Sequence, residues 1–310
     1  MLLSAGTNIN FPNLGIELKD VGSNIQVFGF SIAYYGMIIA LGMVVGYLVA
    51  EWQAKRTGQN PDLYLDFALY AIILSVIGAR VYYVVFNWSE YKNSPLEVFD
   101  IRNGGLAIYG GVITAMVVAL VYSRIKKISF GLLADTGCLG LISGQIIGRW
   151  GNFFNREAFG EYTNGLFAMQ LNINDVSSDY TMPLANLAQK FAGKEQAYHK
   201  ILEIRNHTVN LGGAAYIQVQ PTFLYESVWN LMVLILLIIY SKHKRFDGEL
   251  ILLYLFGYGL GRVWIEGFRT DQLFLFNTPV AVSQLLSGVL VLAAAAIIFI
   301  KRRQLKKKTA

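Results

Sequence analysis

Apolar residues along this chain gather into seven runs, near 28–50, 64–86, 106–123, 131–150, 222–240, 249–268 and 280–300, with polar and basic residues between them. Each run approaches the about 20 apolar residues that carry a helix across a hydrocarbon core of roughly 30 Å. An unpaired backbone amide is costly in lipid, so each is expected to be a helix rather than an isolated strand. The pattern predicts an all-α polytopic membrane protein with seven transmembrane helices. Only 151–221 is a sizeable polar interval. Within it, 166–173 and 215–219 alternate apolar with polar residues and predict two short strands, while 184–204 is rich in helix formers interrupted by Gly193. A segment of roughly 70 residues is marginal for a core of its own, so this small α+β head is expected to lean on the helices. No internal repeat or low-complexity linker is evident.

The basic residues orient the spans. Alternate loops and the tail carry Lys55, Arg56, Arg124, Lys126, Lys127, Lys242, Lys244, Arg245, Lys301, Arg302, Arg303, Lys306, Lys307 and Lys308; the opposite loops, the polar interval aside, hold Lys19, Lys92, Arg102 and Arg269. Fourteen against four places the first set in the cytoplasm. The expected organisation is therefore 1–150, an N-terminal outside segment and four helices; 151–221, an external head; and 222–310, three helices and a basic cytoplasmic tail. The start of the chain has no basic n-region or small-residue cleavage site, so the first span is expected to stay uncleaved. A bacterial cytoplasmic membrane location is implied by the resemblance described below.

Composition agrees. Of 310 residues, 55% are hydrophobic and 15% charged, with mean hydropathy +0.44, against about 25% charged in a soluble domain. A single cysteine, Cys138, excludes an internal disulfide, and His199, His207 and His243 show no ligand spacing, so no metal site is expected. The net charge of +6 and the tail KRRQLKKK raise nucleic acid as a partner, but a basic run just after a span reads as a topology anchor.

Ionisable residues inside spans are costly, so each is a functional candidate. Arg80, Arg149, Arg262 and Glu266 lie toward the outer ends of their spans and Glu226 at the outer start of the fifth, whereas Asp66 and Asp135 sit near cytoplasmic ends and read as helix-end polar residues. A transporter or channel, the competing class, would hold such groups near the midplane, and these middles are apolar. Tyr258, Arg262, Glu266 and Arg269 follow at steps of four, four and three, on one helical face, where Arg262 and Glu266 can pair. That pair could simply lock two helices. Three arginines directed at one zone nevertheless exceed what one or two carboxylates neutralise, and a guanidinium fork binds phosphate bidentately, so an anionic phosphate ligand is expected. Gly42 and Gly46, Gly140, Gly144 and Gly148, and Gly257 and Gly261 repeat at four and read as packing seams. Cys138, mid-span without a basic neighbour, reads as a buried structural thiol. The stretch RWGNFFNREAFG, 149–160, crosses from membrane to head with Arg149, Asn152, Asn155 and Glu157, groups suited to a headgroup bearing phosphate and hydroxyls.

GRWGNFFNREAFG at 148–160, with AYYG at 33–36, NGGLAIYGG at 103–111, QPTFLYES at 220–227 and GYGLGRVWIEGFRTD at 257–271, resembles the prolipoprotein diacylglyceryl transferase family, in the family's order. The resemblance implies transfer of the diacylglyceryl group of phosphatidylglycerol to the lipobox cysteine of a preprolipoprotein signal peptide, giving a thioether and glycerol 1-phosphate, with no cofactor and with the lipid bilayer as surroundings. It implies importance for Tyr35, Arg149, Asn152, Asn155, Glu157, Gly160, Tyr258, Arg262 and Glu266. Arg149, Arg262, Tyr109, Glu157 and Glu266 are the expected catalytic residues; Tyr35, Arg80, Asn152, Asn155, Gly160, Tyr225, Glu226, Tyr258 and Arg269 the expected substrate-binding ones. Family members often carry His where this chain has Tyr109. A tyrosine titrates near about 10 rather than about 6.5, so it does not simply inherit a general-base role, and Glu157 and Glu266 stand as alternatives. An intramembrane protease is disfavoured, since no His or Lys lies within a predicted span.

Overall fold

The computed structural model describes residues 2–3, 7–101, 104–272, 274, 278 and 280–309; Arg102 and Asn103, used above, lie outside the described residues. In chain order, five strands come first: β1 (Leu2–Leu3), β2 (Thr7–Phe11), β3 (Ile16–Val21), β4 (Asn24–Val27) and β5 (Phe30–Ala33). Then follow α1 (Tyr34–Arg56), α2 (Asp62–Phe86), the single turn α3 (Trp88–Tyr91), α4 (Ile108–Ile125) and α5 (Phe130–Asn155). The polar interval supplies β6 (Met169–Asn172), α6 (Leu184–Lys190), α7 (Glu195–Asn206), β7 (Val209–Leu211) and β8 (Ala214–Val219), and α8 (Thr222–Tyr240), α9 (Glu249–Phe268) and α10 (Val282–Thr309) complete the chain. Seven helices, α1, α2, α4, α5, α8, α9 and α10, are long and apolar enough to cross a membrane. Their outward side chains, such as Leu41, Val44, Ile73, Ile113, Leu236 and Leu292, are exposed, as suits a hydrocarbon solvent.

The strands correct the expectation at the N-terminus. The first span begins at Tyr34 rather than near 28, because Phe30–Ala33 pairs antiparallel with Asn24–Val27 in the register Val27↔Phe30 to Asn24↔Ala33. Phe28 (φ 49°) and Gly29 (φ 83°) make the left-handed two-residue turn that suits the twist of a hairpin. Apolar Phe30 and Ile32 therefore follow the period of a strand although they adjoin a helical run. β1, β4 and β5 form a three-stranded sheet; the other sheet runs β3-β2-β6-β8-β7. The two strands expected in the polar interval pair with each other, Met169↔Val219 to Asn172↔Tyr216, and the sheet extends through Asn10↔Gln170 to strands from the N-terminus. The predicted helix breaks as expected at Gly193 (φ 77°) into α6 and α7. The fourth long helix continues past 150 to Asn155, so the first residues assigned to the polar interval are helical.

Backbone contacts divide the chain into two compact units. The first comprises Met1–Val45, Leu141–Tyr240 and Leu252–Ala310. Its core joins sheet residues Ile9, Leu171, Ile217 and Val219 to Leu187, Ile201 and Ile204 of α6 and α7, and to Phe153 of α5 and Phe223 of α8. The α+β region thus leans on helix ends, as its size required. Gly42 and Gly144 face each other here: a Cβ on Gly144 would lie 3.1 Å from the Gly42 carbonyl oxygen.

The second unit comprises Gly46–Gly140 and Ser241–Ile251. Its buried cluster holds Ala50, Ala54, Tyr64, Tyr122 and Leu133. Asp135 is buried, and its carboxylate accepts from the N–H groups of Gly248 (2.9 Å) and Ile251 (3.0 Å) and pairs with Lys244 at 3.1 Å. It caps the first turn of α9, which gives the helix-end reading a physical content. Cys138 is buried and donates to the Asp135 carbonyl.

Candidate active site

In the first unit, the end of α5, the start of α8 and the end of α9 bring a row of guanidinium and carboxylate groups together. Glu226, only 4% exposed, receives Arg149 Nη2 at 2.6 Å and Arg262 Nη1 at 2.9 Å. Arg262 spans to Glu266 with its other nitrogen. Arg269 Nη1 lies 4.0 Å from Glu226 and 3.9 Å from Glu266, while its Nε and Nη2 make a bidentate pair with Asp271 at 2.9 and 2.7 Å. The row requires α8 and α9 to run close: Trp229 donates to the Gly257 carbonyl at 2.9 Å, and a Cβ on Gly261 would fall 2.3 Å from the Trp229 ring. Ser227 donates to the Ile146 carbonyl at 3.0 Å, tying α8 to α5. Tyr258, one turn before Arg262, stacks on Tyr254, which is hydrogen-bonded to Gln145.

This arrangement bears out the pairing of Arg262 with Glu266 on one face and corrects the charge arithmetic. Three guanidiniums meet three carboxylates, because Asp271, beyond the end of α9, joins Glu226 and Glu266. Burial acts to raise the Asp271 carboxyl, and the Arg269 bond with its charge outweighs this and holds it below the usual carboxylate range. Burial likewise opposes the Arg269 charge, and Asp271 more than restores it. Charge excess alone therefore does not call for an anion. Donor geometry does more: among the described residues Glu226 is the one ionic partner of Arg149, whose side chain is 20% exposed, so its fork keeps N–H groups for a ligand.

The chain leaves α5 through Arg156 (φ 52°) and Ala158 (φ 55°), left-handed residues that turn it sharply. Between them Glu157 is exposed, and its Oε1 accepts from the side-chain amides of Asn152 (3.1 Å) and Asn155 (3.3 Å). Three residues singled out in RWGNFFNREAFG thus form one hydrogen-bonded group. Arg156 is turned away from it: buried, it donates to the carbonyls of Phe154 and Val21 and pairs with Asp175 at 3.3 Å. Burial pushes this guanidinium below its ordinary value, with Asp175 acting the other way.

Gly160 pairs in a bridge with Arg269 and donates its N–H to Gln220. A Cβ there would lie 2.9 Å from Gln220 Cβ and 3.3 Å from Phe268 Cβ, which supplies a packing reason for glycine at this position. Tyr35 packs on Gly151, where a Cβ would come within 2.8 Å of its ring, and Tyr225 is half-buried beside Glu226 on α8.

Two candidates belong to the second unit. Arg80, buried, donates to the carbonyls of Glu97, Val98, Gly104 and Gly105, and its guanidinium lies 5.1 Å from the centroid of the Tyr91 ring. Its N–H groups order the segment after α2. Tyr109, in the first turn of α4, is 44% exposed. Sequence reasoning missed Asp271, although it stands two residues after Arg269, and Lys200 and Glu161, whose 3.5 Å pair lies against the end of α9.

The family model for prolipoprotein diacylglyceryl transferase matches residues 23–300. The chain is 39% identical over 281 residues to a protein of Listeria monocytogenes serotype 4b, covering 91% of this chain and 90% of that one. It is 37% identical over 261 residues to one of Clostridioides difficile (84% and 87% covered), and 36% over 288 residues to one of Trichormus variabilis (91% and 90%). All three are named phosphatidylglycerol–prolipoprotein diacylglyceryl transferase. With its motifs, its seven apolar helices and these relatives in agreement, the chain belongs to the prolipoprotein diacylglyceryl transferase family.

Proposed function

We propose that this protein transfers the diacylglyceryl group of phosphatidylglycerol to the lipobox cysteine of prolipoproteins. The identity to the named transferases over nearly the whole chain carries this reading. In the reaction the cysteine sulfur bonds to the terminal glyceryl carbon of the diacylglycerol moiety, the bond from that carbon to the phosphate oxygen breaks, and glycerol 1-phosphate leaves with the electron pair. The thiol proton passes to a base. Negative charge grows on the departing phosphate, and guanidiniums fixed beforehand by carboxylates stabilise it without reorganising. Arg149, with N–H groups to spare, and Arg262, held between Glu226 and Glu266, are assigned that task. Arg269, Tyr258, Tyr225, Tyr35 and Gly160 are assigned to binding, with Arg80 ordering its own loop. Glu157 is the base this reading favours over Glu266: it is exposed, aimed by two amides and without an ionic partner among the described residues, whereas Glu266 is engaged by Arg262. Tyr109 then serves as a hydrogen-bond donor.

The fourteen-to-four distribution of basic residues supports an orientation with the α+β region outside and the C-terminus in the cytoplasm of a bacterial cell membrane. The purified protein, incubated with phosphatidylglycerol and a lipobox peptide, should add a diacylglyceryl mass to the peptide cysteine. An unmodified peptide, or modification that survives replacement of the lipobox cysteine by serine, would refute the assignment.

A further inference from the structure

An α-helix leaves its last carbonyls without intrahelical donors. At the end of α9 the last three, and the carbonyl that follows, find donors beyond the helix ladder. Glu266 O accepts from the Arg269 N–H at 3.1 Å and from the Gln272 side chain; Phe268 O accepts from the Glu161 N–H at 2.8 Å. Gly267 O and Arg269 O, the latter at 3.3 Å, accept from the ammonium of Lys200, which α7 carries to this point. Lys200 is largely buried, and its third partner is the Glu161 carboxylate at 3.5 Å. Three N–H groups and three partners fill the ammonium's capacity, and a cation at a helix C-terminus complements its dipole. The backbone so held is that of Arg269, which Gly160 also pairs. Arg269 in turn stands beside Glu226 and Glu266, the carboxylates that aim Arg149 and Arg262.

We propose that Lys200 is a positioning residue for the transfer reaction: by capping the end of α9 it fixes Arg269, and through it the geometry that receives the phospholipid phosphate. This rests on the functional reading above. Lys200 itself touches no reacting atom, and its effect should appear in one substrate's binding rather than in folding.

The test is Lys200→Met, which keeps length and loses all donors, beside Lys200→Arg, which keeps charge and donors. Both are purified in mixed micelles and assayed with varied phosphatidylglycerol and varied lipobox peptide, with Tm measured on the same samples. Lys200→Met is expected to raise KM for phosphatidylglycerol about tenfold, as loss of a charged hydrogen bond would. Its kcat and its KM for peptide should stay within about twofold. Lys200→Arg should restore the lipid KM. An unchanged lipid KM in Lys200→Met overturns the proposal; so does a parallel loss with both substrates accompanied by a lower Tm, which marks a merely structural cap. If Lys200→Met does not fold, Lys200→Gln, which retains a donor, is judged by the same criteria. A wild-type protein that adds no diacylglyceryl group would instead remove the functional reading beneath it, an outcome distinct from an active enzyme indifferent to Lys200.

Discussion

Arg262 separates a catalytic role from a structural one. Its guanidinium lies between Glu226 and Glu266, all three side chains largely buried. Each charge pair at about 4 Å is worth about 4 kcal/mol at an effective dielectric near 20. Desolvation offsets much of that, but removing one partner leaves the others uncompensated, at a cost of about 3–5 kcal/mol. Arg262→Met is therefore expected to lower Tm clearly and to abolish transfer, a result both roles would give. The charge-balanced double variant Arg262→Met/Glu266→Gln removes one guanidinium and one carboxylate, while Glu226 keeps Arg149 at 2.6 Å and Arg269 at 4.0 Å. Most of the stability should return. Transfer should not: relative to Glu266→Gln alone, the double variant should lose about 10²- to 10³-fold in kcat, the range for a lost transition-state donor. Arg262→Lys should recover only part, since one ammonium cannot present a planar fork to two carboxylates. The assay is the mass shift of a lipobox peptide under saturating phosphatidylglycerol, with thermal unfolding followed in parallel. Transfer by the double variant within about threefold of Glu266→Gln would refute the reasoning and reduce Arg262 to a neutraliser of Glu266.

Tyr109→Phe should lower kcat with little change in lipid KM if the phenol donates a hydrogen bond, and Tyr109→His should keep substantial activity with a pH profile displaced toward lower pH if this group titrates in catalysis; near-normal transfer by Tyr109→Phe across pH 6 to 9 removes it from the mechanism. Ser178, exposed in the α+β region, should react as Ser178→Cys in a Cys138→Ala background with an impermeant thiol reagent on intact cells; labelling only after lysis reverses the orientation. Gly160→Ala places a Cβ 2.9 Å from Gln220 Cβ and should cost about 1–3 kcal/mol by overpacking, read as a fall in Tm; an unchanged Tm would show that the backbone at Gly160 gives way freely.

Much of the architecture was legible along the chain because lipid imposes a rule on sequence: a span must be long, apolar and helical. All seven runs became helices, four of them with both ends close to those expected, and the alternation at 166–173 and 215–219 became the strand pair Met169–Asn172 and Ala214–Val219. The helix period alone put Arg262 and Glu266 within reach of each other. What the chain could not reveal depended on partners distant in sequence. The apolar residues near 28–33 chose strand over helix because Asn24–Val27 lies alongside, and β2 found its place in a sheet through a strand 160 residues away. Asp135 acquired its partners from Gly248 and Ile251, and Arg80 its four carbonyls from the segment after α2. Charge balance was the sharpest such case. Counting in-span charges overlooked Asp271, because a residue just past a helix end carries no mark of its ionic partner until folding sets it against Arg269. Local periodicity fixes which groups share a face; only the close approach of α5, α8 and α9 decides which opposite charges meet and which N–H groups of Arg149 remain for a ligand.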